Sequence, residues 1–213
     1  MLLLFTALVL GFLHGLGPDH LMAIAALSID GGGSVEAGAA RARALGVACK
    51  FAVGHALLLA AGAGLIVMIG WSIPAPVERG GEMLGGALLI VMGLVTLQHL
   101  RSHRAPDTAQ VEPHPSRAHS HVPTLLGAAF AVSSLRALAL LTPFGADLGT
   151  APVPLLVMLI ALFACGILVS MSLFGVALAG LLSMRALERI GHGAGALVAM
   201  SSVVLGVVWV LTA

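Results

Sequence analysis

Long apolar runs dominate the chain, with short polar or glycine- and proline-rich stretches between them. The runs fall at 2–28, 44–70, 81–100, 123–146, 152–182 and 192–213. Most of them reach the ~20 residues that a membrane-spanning helix needs. The first and fifth are long enough to tilt or to break. Gly31-Gly32-Gly33, Pro74 with Pro76, the polar stretch 101–122, Pro152 with Pro154, and Gly191 with Gly193 punctuate the runs. The pattern predicts an all-α polytopic membrane protein of six transmembrane helices, forming a single membrane domain over 1–213.

The first run is interrupted in its middle. His14, Asp19 and His20 lie there, among Gly15, Gly17 and Pro18. A charged group at mid-bilayer costs roughly 2.5–3.5 kcal/mol on insertion scales, and ionisable residues inside a span generally mark function. Pro18 has no N–H, so the His14 carbonyl is expected to lose its helical partner. In lipid such a carbonyl must bind something else, and a free carbonyl beside two imidazoles and a carboxylate suggests a cation site. Residues five and six apart do not share a face of an ideal helix. A break at Gly-x-Gly-Pro removes that obstacle and lets all three side chains turn inward. The plainer alternative is a histidine satisfied by a neighbouring helix, with Asp19 paired to a cation.

His55, in the second run, is the natural partner. Counted from opposite faces at 1.5 Å per residue, His14 lies about 18 Å deep and His55 about 15 Å deep. In a hydrocarbon core of about 30 Å both fall near the midplane, and Gly54 lets the helices approach. His14, Asp19, His20 and His55 therefore form the candidate metal site. Imidazoles with one carboxylate suit borderline dications such as Ni, Co, Zn or Cu(II). Met22 is the only soft side chain close by, and a helical methionine is more often packing.

The chain also repeats itself weakly. Glu78-Arg79-Gly80-Gly81 and Glu188-Arg189-Ile190-Gly191 both open a run with E-R-x-G, and Gly85 and Gly195 follow four residues later. Phe51-Ala52-Val53-Gly54 echoes Phe163-Ala164-Cys165-Gly166. The unit is three spans, so two copies would be inverted relative to each other, as in many secondary transporters. Repeat one covers 1–100, a cytoplasmic loop 101–122, and repeat two 123–213. Arg41, Arg43, Arg101, Arg104, Arg117, Arg185 and Arg189 lie in the first, third and fifth loops, against Arg79 alone elsewhere outside the runs. The positive-inside rule then puts both termini outside the cytoplasm of an inner (plasma) membrane.

Composition agrees with this picture. Of 213 residues, 59% are hydrophobic and 9% charged, against about a quarter charged in soluble domains. The net charge of +1 points to no particular partner, and nucleic acid is not expected. Cys49 and Cys165 form no C-x-x-C, which argues against thiol redox chemistry. The amino terminus lacks a basic n-region and reads as a first span rather than a cleaved signal. Lys50 either snorkels to the inner face or neutralises Asp19. Arg136 lies within the fourth run, where it would balance charge, gate, or brace the bundle. His99, His103, His114, His119 and His121 crowd the third loop and its edges. They read either as a loose metal-binding tract or as a polar linker.

H-x-x-x-x-D-H in the first span, with Gly-His in the second, resembles the nickel/cobalt permease superfamily, in particular its compact six-span efflux and urease-accessory branches. The resemblance covers about the first quarter of the chain. It implies His14, Asp19, His20 and His55 as metal ligands and Ni(II) or Co(II) as transported cargo, with no resident cofactor. Ala56 stands where the family's second motif usually has serine, and the better-known permeases have eight spans. No G-x-x-x-x-G-K-[ST] loop is present, so ATP drive within the chain is not expected. The expected function is a secondary metal permease and not an enzyme. An acyltransferase H-x-x-x-x-D motif would need a headgroup-level pocket for its general base. The alternative is an exporter of an organic solute or anion anchored by Arg136. The sequence leaves open whether the chain works alone or as a homo-oligomer.

Overall fold

A computed structural model describes residues 1–29, 37–69, 74–102, 121–134, 153–182 and 185–213. These residues form seven helices and no strand: α1 (Leu2–Gly15), α2 (Pro18–Ile29), α3 (Ala37–Ile69), α4 (Ala75–Ser102), α5 (Val122–Ser133), α6 (Val153–Leu182) and α7 (Arg185–Thr212). Among the described residues, four stretches are long and apolar enough to cross a membrane: Ala42–Leu65, Ala75–Ser102, Val153–Gly180 and Gly193–Thr212. Helices α1 and α2 make a fifth if the bent pair counts as one span. The chain is a helical membrane protein. Of the expected fourth span, 123–146, the described part is the short apolar helix α5; the rest, including Arg136, lies outside the described residues.

The first run breaks where its glycines and proline stand. Helix α1 ends at Gly15, Leu16 and Gly17 turn, and α2 restarts at Pro18, bent by 51°. Proline is tolerated there because a first-turn residue needs no intrahelical N–H partner. One expectation is corrected: the His14 carbonyl is not left over, because the Gly17 N–H donates to it at 2.9 Å. The turn closes on itself as a short capping turn, so the side chains, not this carbonyl, define the site. Likewise Pro74 and Pro76 do not delay the third span to residue 81. They mark its start, with Pro76 in the first turn of α4.

The helices pair through glycine. A Cβ on Gly11 would run into the Phe163 carbonyl, and one on Gly166 into the Leu8 carbonyl, so α1 and α6 touch backbone to backbone. Helices α3 and α5 meet in the same manner, with Gly54 against the Thr124 carbonyl and Gly127 against the Phe51 carbonyl. Helices α4 and α7 run antiparallel, with Gly86 against Gly206 and Gly93 against Ala199. Small residues allow this close approach, and packing then supplies the attraction that lipid does not. A core of Ile24, Phe51, Leu59, Leu89, Phe130, Ile167 and Met171 fills the centre. Met22 packs against that core, while Leu57, Leu125, Leu197 and Leu211 face outward, as expected for surfaces solvated by acyl chains.

Candidate metal centre

The break in the first run decides the geometry. Helix α1 delivers His14 from its last turn, and α2 delivers Asp19 and His20 from its first. Gly15 lies against Ile167 and Ser170, the middle of the thirty-residue α6. Helix α3 delivers His55 from its own middle. Its ring is fully buried, with Asp19 and His20 nearly so and His14 partly exposed.

The three imidazoles converge on one point. Nε2 of His55 lies 3.3 Å from Nε2 of His14 and 3.2 Å from Nε2 of His20. A metal with bonds of about 2.0–2.1 Å to nitrogen, arranged tetrahedrally, sets its donors about 3.3–3.4 Å apart. The two spacings from His55 thus match two edges of such a polyhedron. One ligand atom from each ring lies within 4.8 Å of the others.

Two of the rings, those of His55 and His20, have a neighbour at their other nitrogen. Nδ1 of His55 donates to the Gly127 carbonyl at 3.1 Å, which leaves the Nε2 lone pair pointing at the cluster. Nδ1 of His20 lies 2.7 Å from Asp19 Oδ2. The carboxylate stands off the N–H axis, so neither buried atom has an aligned hydrogen-bond partner among the described residues. Even so, a carboxylate at this distance favours a proton on Nδ1 and raises the donor strength of Nε2. Asp19 therefore orients His20 and adds a negative charge beside the three nitrogens. The ring faces are walled by aromatics: Phe163 stacks on His14 at 5.9 Å and Phe51 on His55 at 6.3 Å. Ser134 Oγ, 3.4 Å from His20 Nε2, completes the near shell.

A cavity of about 590 Å³ opens onto this cluster. Leu13, His14, Gly17, Pro18, Asp19 and His20 form one wall. Glu82 on α4, Ser133 and Ser134 after α5, and Trp209 and Thr212 on α7 form the other. His55 stands behind the wall. The described lining carries two carboxylates and two imidazoles but neither lysine nor arginine.

The structure therefore brings together His14, Asp19, His20 and His55. Lys50 is half-buried on α3 and is not part of the cavity lining. His99 is half-buried near the end of α4, and His121 is exposed just before α5. His103, His114, His119 and Arg136 lie outside the described residues. Sequence reasoning missed Glu82, Ser133, Ser134, Trp209 and Thr212. Glu82 carried a usable signal, as a carboxylate inside an expected span. The hydroxyls and the Gly127 carbonyl carried none. Compared with known proteins, the chain matches no family model, no curated protein and no solved structure.

Proposed function

We propose that the chain is a secondary permease for divalent transition-metal cations, with Ni(II) or Co(II) as the favoured cargo. The observation that carries this reading is the convergence of three imidazoles, with His55 Nε2 at metal-ligand spacing from Nε2 of both His14 and His20, beside a buried carboxylate at a helix break within an apolar bundle. Nitrogen donors with a single carboxylate fit a borderline dication better than Mg or Ca, which take oxygen shells, or Cu(I), which takes sulfur. A lining with two carboxylates and neither lysine nor arginine among its described residues favours a cation over an organic anion.

Six spans arranged as two inverted repeats complete the proposal. In this reading α1 with α2 is the first span, and α3 and α4 are the second and third. Helix α5 opens the fourth, and α6 and α7 are the fifth and sixth. The support lies in the crossings. Gly11 meets Phe163 as Gly127 meets Phe51, and Gly166 meets Leu8 as Gly54 meets Thr124. An in-plane two-fold that exchanges the first span with the fourth, and the second with the fifth, carries one crossing onto the other. It would also map the antiparallel α4 and α7 pair onto itself. The same register pairs His14 with Phe130 and His20 with Arg136 in the sequence, which leaves one His-rich site per chain.

With the arginine bias, both termini lie outside the cytoplasm of a plasma or inner membrane. Rocking of one repeat against the other would then expose the cluster alternately to each side. Radiolabelled nickel and cobalt flux in proteoliposomes tests the function. The expected result is uptake by the intact chain and background flux for the His14→Ala, His20→Ala double variant. Equal flux for both proteins refutes the proposal.

A further inference from the structure

Glu82 has no part in the three-histidine cluster, yet it shares the cavity with it. It lies on the third turn of α4, partly buried. Its neighbours on that helix explain why it faces inward. A Cβ on Gly81 would strike the Val132 carbonyl, and one on Gly85 would sit 2.7 Å from Ser133 Oγ and 3.7 Å from the Trp209 ring. Two glycines thus let the end of α5 and the Trp209 ring close against α4 beside Glu82. The cavity continues past Glu82 to Thr212, the exposed last residue of α7. It therefore runs from the cluster toward the end of the bundle where α4 begins and α7 ends.

The oxygens on this route suit a hydrated ion. Ser133 Oγ donates to the Phe130 carbonyl at 2.7 Å, and Thr212 Oγ1 to the Val208 carbonyl at 2.9 Å. With their protons committed, both hydroxyls present lone pairs to the cavity. Lone pairs and a carboxylate are what the outward-pointing hydrogens of a metal-bound water shell require. Six waters occupy about 180 Å³ at ~30 Å³ each, so a hexahydrated dication fits within the 590 Å³ available.

We infer that Glu82 is a capture residue, which draws a hydrated dication into the vestibule and passes it to His14 and His20, where water is exchanged for imidazole. This rests on the reading of the three histidines as a dication site. The two roles are separable in kinetics. A vestibule charge acts on the encounter rate, by up to an order of magnitude or more at low salt. The imidazoles set residence time.

The test is stopped-flow binding of Ni(II) and Co(II) to the full chain in lipid nanodiscs, at low and high ionic strength. Intact protein is compared with Glu82→Gln, Glu82→Asp and the His14→Ala, His20→Ala double variant. Glu82→Gln is expected to slow association on the order of 10-fold at low salt, with a flattened salt dependence and an unchanged dissociation rate. Glu82→Asp is expected to restore most of the loss, which separates charge from folding. Association by Glu82→Gln at the intact rate overturns the capture role and leaves the histidine site standing. A change in dissociation alone also overturns it. Failure of the intact chain to bind either metal overturns both.

Discussion

His20 and His55, thirty-five positions apart in the chain, bring their Nε2 atoms to 3.2 Å. They reach that point from opposite constraints. His20 is steered by the carboxylate next to it in sequence, and His55 by a carbonyl on α5, seventy-two positions away. A pair of imidazole nitrogens aimed at each other in an apolar bundle makes sense as two donors to one cation.

His55→Ala removes the fully buried donor. The loss should exceed the ~10–100-fold in affinity that is typical when only an outer-shell partner is lost. Isothermal titration of Ni(II) into the purified variant checks this.

Asp19→Asn keeps all three nitrogens but neutralises the group beside His20 Nδ1. Ni(II) affinity should fall by about 10–100-fold, less than for His55→Ala. The same titration, run alongside, shows whether the order holds.

Metal binding should weaken as pH falls. Each ring must be neutral at Nε2 to bind, so protons compete with the metal and binding releases them. Affinity should therefore rise with pH and level off once the rings are neutral. Titrations in buffers of different ionisation enthalpy measure the protons released, and a pH-independent affinity would contradict imidazole ligation.

Gly11→Ala and Gly127→Ala each push a methyl into a backbone carbonyl across a helix crossing. Overpacking of this kind typically costs about 1–3 kcal/mol. Gly62→Ala is the control, with nothing within 4 Å of the added Cβ. It should be neutral or stabilising by up to about 1 kcal/mol, the helix-propensity difference. Thermal unfolding in detergent compares the three.

The parts of this site legible in the sequence are those with local causes. Gly15, Gly17 and Pro18 announce the break, because their effect is on their own backbone. His14 and His55 could be matched by depth, because a bilayer turns residue count into height. Neighbours across helices were not legible. Any residue of α5 offers a carbonyl, so nothing marked Gly127 as the group that orients His55. Ser133, Ser134, Trp209 and Thr212 join the cavity only because the glycines of α4 admit them. The His14 carbonyl was misjudged because a capping turn at Gly17 supplied the donor that Pro18 withholds.

The most direct measurement is X-ray absorption on the nickel- or cobalt-loaded chain in lipid. The account predicts a first shell containing about three imidazoles at roughly 2.0–2.2 Å, lost when His14 and His20 are both replaced by alanine. A shell without imidazole, or one unchanged in that variant, would contradict it.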